Sequence, residues 1–536
     1  MQTALGGTVS NPRPPTLTTL PAHDESAALP PNSFREAWLL GCLGVILALI
    51  IQVALFDNIP HVTDSISHMF QAKLFAEGHL TAPLPPCHAS FFQHHIAMTH
   101  DGRWFTKYTP GHPLLLAAGL RAHVVWLICP LAHGLCVFFL YGLAQRFWSV
   151  RIARPVALLF CFSPLALLLG ASFMSHATFL AAALGGGYFL VKAWSHPGVV
   201  QHRTCVAAGL MLGYAAIIRP QDAVLAFALI GLAILMAGPP TWRKLLPSAP
   251  SFIGGMAIPV LILLMWNREI YGRYLALGYG FTQSGFIYPM FQAVYGFTDQ
   301  FTLRKAMQQT IYSLYRLDQV ALGWPLTLPL LLPVLWTRTL RRPDLYSLAG
   351  LFAVIGMYFP YNYYAIEFEA RYYYPALPFV LVLLVRAGQI LAQACTTMLQ
   401  RTRMATRAKA TILGTTWVFC ATMSLYTVAC YWPQKIWPVY HRDYEQASPH
   451  LHHWAQRASL GHALVLINSQ GEDGFRYSSG MVYNDPFLRN AIIYARDPGM
   501  DTQCLETSFP DRVLYRVIPD AGWTTARFAR VQSATR

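Results

Sequence analysis

Charge is what this 536-residue chain has least of: Asp, Glu, Lys and Arg together make up 12% of it, against 54% hydrophobic residues. A water-soluble chain of that length needs far more charge to cover its surface, so a bilayer must be its main solvent. There is no CxxC pair, and most cysteines sit inside apolar segments (Cys42, Cys129, Cys136, Cys161, Cys205, Cys395 and Cys420). That excludes a zinc ribbon or a disulfide framework and leaves them as small buried hydrophobes. Cys87 and Cys504 fall in extramembrane stretches on one side; unpaired thiols are the favoured reading there, with a bridge as the alternative. No signal peptide opens the chain. Residues 1–33 read as a disordered cytoplasmic tail rich in Pro, Thr and Ala, and the first apolar run is long enough to remain as an anchor. No internal repeat is evident, which speaks against the inverted halves of many transporters. The net charge of +15 does not point to nucleic acid, because Lys and Arg form short clusters between apolar runs and no single stripe.

What the chain has in abundance is apolar runs of membrane-crossing length, about 20 residues. They lie at 37–56, 123–145, 152–171, 176–194, 204–218, 221–238, 251–267, 319–336, 346–362, 375–396 and 410–431. A polytopic α-helical membrane protein with about 11 transmembrane helices over 34–431 is expected. Basic clusters at Arg146/Arg151/Arg154, Lys192/Arg203, Arg243/Lys244, Arg338/Arg341/Arg342 and Arg401/Arg403/Arg407/Lys409 fall in alternate loops. The positive-inside rule then places the N-terminus in the cytoplasm and three segments outside: 57–112, 268–318 and the tail, 432–536. In the tail, the stretches 463–470, 490–497 and 513–517 read as strands separated by turn- and helix-formers, a small α/β extracytoplasmic domain.

The 57–112 loop carries most of the candidate chemistry. DSISHMFQAKLFAEG reads as an amphipathic helix on the membrane surface. Asp64 at its start is either an ordinary helix cap or a carboxylate placed to deprotonate an acceptor; Asp57 is the competing acid. In DGRWFTKYTPGHPLLLA, the cations Arg103 and Lys107 stand beside Trp104, Phe105 and Tyr108, a pattern that fits phosphate binding or simple interface anchoring. Deeper in the chain, Arg219 and Arg371 lie near membrane depth, where a charge needs a partner or a wet cavity. A phosphate would satisfy either guanidinium bidentately, and Asp222, Glu367 or Glu369 would serve as structural partners instead. Asp57, His68, Tyr108, His112 and Tyr372 are candidate substrate contacts, although Tyr372, Tyr373 and Tyr374 also suit an interface belt. His176, after Ser175, faces the cavity or caps its helix, with the cap favoured. The histidines His88, His94, His95, His100 and His112 lack a standard zinc spacing; no metal ligand is assigned, and a divalent metal is left open. Asp485, Asp511 and Arg512 in the tail form no catalytic constellation and read as turn residues.

DSISHMFQAKLFAEG and KYTPGHPLLLA together resemble the first outer loop of the GT-C glycosyltransferases, in the branch of the protein mannosyltransferases and bacterial aminoarabinose transferases. Asp64 matches the catalytic Asp of that family's Asp-Glu pair, while Ser65 stands in place of the Glu and His68 in place of a Tyr. GLMLGYAAIIRPQDAVL, WNREIYGRYLALGYGF and EARYYYPALPFVLVLL are similar to further stretches of the same superfamily, in order along the membrane part. The resemblance implies an inverting glycosyltransferase in a bacterial inner membrane that moves a sugar from a polyprenyl-phosphate carrier to a glycan, lipid or protein acceptor. Asp64 would be the base, and Arg219, Arg371, Lys107 and Arg103 would hold the donor phosphate. The alternative is a transporter or flippase of an anionic or lipid-linked substrate; a third reading is an assembly or sensor protein.

Overall fold

The computed structural model describes residues 31–536 apart from 100, 195–200, 238–242, 244–245, 277, 279–295, 300, 338–339, 364–367, 369, 401–417, 419–421, 442, 470–474 and 532–536. Residues 1–30 of the expected N-terminal tail, His100, Glu367, Glu369, half of the 410–431 span and the basic residues Lys244, Arg338, Arg401, Arg403, Arg407 and Lys409 therefore lie outside the described residues.

The first helix, α1 (Pro31–Phe56), is about 39 Å long at 1.5 Å per residue, more than a bilayer core of about 30 Å requires. Leu39, Ile46, Ile50 and Val53 on it are more than half exposed. Aliphatic surface of that kind has only lipid to face. Next come α2 (Thr63–Ala76) and a small antiparallel sheet, order β1–β3–β2, of β1 (Ala82–Pro83), β2 (Ile96–Met98) and β3 (Arg103–Thr106). Then follow α3 (Gly111–Arg121), α4 (Ile128–Phe147), α5 (Val150–Phe162) and α6 (Pro164–Ala171). The last two are bent by 57°, because Ser163 caps α6 through Ala166 N–H and Pro164 cannot continue the ladder of α5. The bundle continues with α7 (Ser175–Trp194), α8 (His202–Ile218), α9 (Pro220–Ala237), α10 (Ala249–Tyr271), α11 (Leu303–Val320), α12 (Arg342–Tyr358) and α13 (Leu377–Gln400).

Four helical stretches are long and apolar enough to cross a membrane, Ser33–Phe56, Val125–Phe147, Leu246–Tyr271 and Arg371–Cys395, and the bent pair α5–α6 makes a fifth. The protein is an integral membrane protein, but these spans are fewer than the eleven expected. The 319–336 run is not one helix: α11 stops at Val320, a turn follows, and helical structure resumes only with a 3-10 turn at Pro329–Leu331 that leads into Leu332–Trp336. Pro325, Pro329 and Pro333 recur every fourth residue there, each removing a backbone donor that a continuous helix would need.

The tail forms a four-stranded sheet, order β5–β4–β6–β7, from β4 (Ala463–Ile467), β5 (Ile492–Arg496), β6 (Val513–Pro519) and β7 (Ala526–Arg530). β4 is parallel to both neighbours, which makes it the buried central strand; β7 pairs antiparallel on β6 and was not foreseen. Short helices α14 (His450–Arg457), α15 (Ser478–Met481) and α16 (Gln503–Ser508) accompany it. The tail does not stand apart from the loop. Ile66, Phe70 and Leu74 of α2 share one apolar core with Leu464, Val465 and Ile493 of the sheet. Lys73 Nζ donates to the carbonyls of Val482 (2.6 Å) and Asn484 (2.9 Å), and Cys87 is disulfide-bonded to Cys504. Two expectations are thereby corrected. The two cysteines are bridged, and α2 is not a helix with one free apolar face, since most of its residues on every side are buried beneath the tail domain and against α3.

Candidate active site

Asp64 occupies the first turn of α2, but it is no cap: the N-cap is Val62, and no side chain caps this end. Its oxygens go elsewhere. Tyr108 donates its hydroxyl to Oδ1, and Arg371 approaches Oδ2 with Nη1 at 3.5 Å. Lys107 places its ammonium 5.1 Å above the Tyr108 ring and acts on Asp64 at the same time. Burial pushes the Asp64 carboxyl up, yet the charges of Arg371 and Lys107 and the Tyr108 hydroxyl outweigh it and hold the group well below the usual carboxylate range. Asp64 is an anion at neutral pH.

The backbone explains why these groups meet. The segment after β3 carries Lys107 and Tyr108 and is pinned to the end of α8. Thr109 Oγ1 donates to Ile218 O (2.9 Å) and Tyr214 donates to Gly111 O (2.8 Å). Gly111 is needed for that approach, because a Cβ there would stand 2.6 Å from the Ile217 carbonyl oxygen. Arg219 follows at once as the C-cap of α8. Its guanidinium pairs with Asp222 in the first turn of α9 and reaches Ser175 Oγ and the Tyr358 hydroxyl, both at 3.5 Å. Tyr358 in turn donates to the second oxygen of Asp222. Arg371 opens a short 3-10 helix, Arg371–Ala376, before α13, lies over the Tyr372 ring at 5.0 Å and donates to its hydroxyl at 3.3 Å. The Tyr372 ring packs on Tyr358 at 5.4 Å, so the two arginines are joined through a tyrosine pair. Three helix N-termini, those of α2, α7 and α9, bring their first turns to this cluster, and each adds a partial positive charge.

The assembly holds three cations and two carboxylates at one end of the bundle, half-way between membrane helices and tail domain. Two solved structures share this architecture. One is ArnT from Cupriavidus metallidurans in the apo state, with a TM-score of 0.52 and 13% identity, covering 91% of this chain and 94% of that chain. The other is ArnT from the same organism bound to undecaprenyl phosphate, with a TM-score of 0.54 and 13% identity, covering 90% of this chain and 93% of that one. This chain has the ArnT fold. The likeness is one of fold, and a polytopic helical architecture of this kind is what the apolar runs led us to expect. No family model matches the sequence, and no curated protein matches it either.

Within the ArnT-like frame the remaining candidates divide. His68 is buried, with its ring 4.4 Å from Tyr108 and 4.9 Å from His112. His112 has a structural role. Its Nε2 donates to Phe173 O (2.9 Å), and Nδ1 lies 3.0 Å from Thr178 Oγ1, which ties α3 to α7. Arg103 is not brought into the cluster. It pairs with Asp101 at 2.8 Å and donates to Glu269 O at 3.1 Å on an exposed edge, since β3 is extended and carries position 103 about 13 Å from position 107. Asp57 is exposed in a left-handed turn after α1, and its charge acts on His61 and Tyr483. Burial and Lys107 push His95 down to about 3, so it is neutral. Among the described residues no group of three His, Cys, Asp or Glu side chains converges as a metal site. Tyr358 and Ser175 were missed as site residues. The sequence offers Asp222 only as a structural partner of Arg219, and that pairing does form.

Proposed function

We propose that the protein is a GT-C-type glycosyltransferase, inverting at the anomeric carbon, with a polyprenyl-phosphate-linked sugar as donor. The observation that carries this is the ionised Asp64 held against Arg371, Lys107 and Tyr108, beside a second arginine, Arg219. A neighbouring fold with undecaprenyl phosphate bound supports the donor class. The site end would face away from the cytoplasm, a placement supported by the alternating basic loops and by a disulfide at the same end.

The chemistry follows from the groups present. The donor phosphate takes the cationic corner of Arg371, Arg219 and Lys107. Arg371 holds Asp64 only loosely, at 3.5 Å, so a phosphate can draw it away. Asp64 then loses the largest charge that holds its proton affinity down and regains basicity as the donor arrives. The acceptor hydroxyl or amine attacks the anomeric carbon from the face opposite the phosphate, and its proton passes to Asp64. The carbon–oxygen bond to phosphate breaks, and the electron pair stays on a phosphate oxygen stabilised by the cations. For the isoprenoid chain there is an apolar cavity of 160 Å³ that begins at Asp222 and is lined by α4, α7, α9, α12 and α13. Its wall along α7 runs from Phe179 to Val191, about 18 Å at 1.5 Å per residue.

Asp64→Asn tests the reading. Sugar transfer should fall by about 10²–10⁴, the usual worth of a general base, and lipid-linked sugar should accumulate in that variant and equally in a strain lacking the protein, measured by mass spectrometry of extracted lipids. Full activity in that variant would end the assignment.

A further inference from the structure

His176 is the second residue of α7, 3% exposed, and among the described residues neither of its ring nitrogens has a hydrogen-bond partner. A buried imidazole normally finds partners for its nitrogens. Two others in this chain show how. His112 is held by Phe173 and Thr178, and His61 by the carbonyls of Phe56 and Tyr444. His133 also has orphaned nitrogens, but its ring stacks on Phe160 at 5.5 Å in the apolar core. His176 instead lies within the electrostatic reach of Arg219, Arg371, Asp64 and His68, one residue from the Ser175 hydroxyl that Arg219 approaches.

We infer that His176 is a ligand of the donor's phosphate group: an imidazole whose N–H donates to a phosphate oxygen. The inference rests on the glycosyl-transfer reading. The charges of Arg219 and Arg371 reach His176 and favour an anion there, and the N-terminal turn of α7 adds backbone N–H groups and a positive dipole end to the same spot. The imidazole supplies a directed hydrogen bond where the arginines supply charge. As the anomeric bond breaks and the phosphate oxygens gain charge, that bond strengthens. The donor thus satisfies a nitrogen that the ligand-free fold leaves unsatisfied.

The full-length protein in nanodiscs, titrated with undecaprenyl phosphate and with undecaprenol by native mass spectrometry, separates the outcomes. His176→Ala and His176→Leu should weaken undecaprenyl phosphate binding about tenfold, His176→Gln should restore most of it through its amide N–H, and undecaprenol binding should not change. The ligand-free His176→Leu protein should melt no lower than the parent, because the replaced group had nothing to lose. A clearly lower melting temperature or failure to fold in His176→Leu, or unchanged phosphate affinity in His176→Ala, overturns the inference. Should the parent itself show no preference for undecaprenyl phosphate over undecaprenol, the donor reading falls, and this inference with it.

Discussion

Raising the pH from 7 to 9 should weaken donor binding through Lys107 without unfolding the protein. Burial pushes the Lys107 ammonium down to about 8, with Asp64 resisting the fall and Arg371 assisting it. For a single proton the charged fraction then drops from ~0.9 at pH 7 to ~0.1 at pH 9, so donor affinity should fall up to about tenfold. Stability moves the other way. The unfolded lysine titrates near 10.4, so between about pH 8 and 10.4 the unfolded chain binds more protons than the folded one. Stability without ligand therefore rises through that window. The assay is undecaprenyl phosphate binding against pH, alongside the melting temperature of the ligand-free protein. Lys107→Arg should flatten the binding curve, because a guanidinium stays charged. Asp64→Asn should move the curve to lower pH, because the charge that supports the Lys107 proton is gone. Were the limb due instead to Lys73, which burial also pushes to about 8, it would survive Lys107→Arg. A limb that survives Lys107→Arg would refute the role given to Lys107.

Arg371→Leu should reduce undecaprenyl phosphate affinity at least about tenfold, a charged hydrogen bond being worth about 1.5–3 kcal/mol. Arg103→Leu, whose ion pair with Asp101 is exposed, should change it less than about twofold; equal losses would place the phosphate elsewhere. Gly111→Ala brings a methyl against the Ile217 carbonyl at 2.6 Å, so it should cost about 1–3 kcal/mol of stability and weaken donor binding by displacing Lys107, seen by thermal melting and titration. Cys87→Ser or Cys504→Ser should cost about 2–4 kcal/mol and make the tail more sensitive to protease. Unchanged cleavage would show that Lys73 and the shared apolar core hold the tail unaided.

Period and composition made the helices legible wherever one residue pattern had one outcome. The runs that became α1, α4, α10 and α13 were read from length alone, and β4, β5 and β6 from their alternating turn and strand residues. The 319–336 run was misread because hydropathy is blind to Pro325, Pro329 and Pro333, which leave apolar content intact while removing helix donors. α2 was misread for a related reason: an amphipathic pattern reports one apolar face, and the tail domain that covers Ile66, Phe70 and Leu74 and takes up Lys73 lies about 400 residues later in the chain. Asp64, Lys107, Arg219 and Arg371 were legible because charge near membrane depth is costly and therefore conspicuous. Arg103 has the same chemistry and a nearby place in the sequence, so only the extended geometry of β3 separates it from Lys107. Tyr358 carried no signal, since a tyrosine at a helix end is ordinary and becomes informative only when Asp222 and Tyr372 are seen against it.

The same geometry bears on the choice between a transferase and a conduit for an anionic cargo. An anion path needs polar groups at intervals along its length. Buried charge in the described residues is instead concentrated at separate places. Asp64, Lys107, Arg219, Asp222 and Arg371 gather near the first turns of α2, α7 and α9. Arg386 and Asp344 lock together at 2.9 Å, with Trp148 donating to the same carboxylate, near the last turn of α4. What runs between them is the apolar cavity, whose lining is aliphatic and aromatic apart from Asp222 and Ser347. An ion entering it would lose its hydration with little in return, whereas a hydrocarbon chain entering it gains dispersion contacts and leaves its phosphate beside Arg219. On the proposed reading the charged head would stay at one rim while the chain enters the bundle, as suits a substrate used in place rather than a cargo carried through.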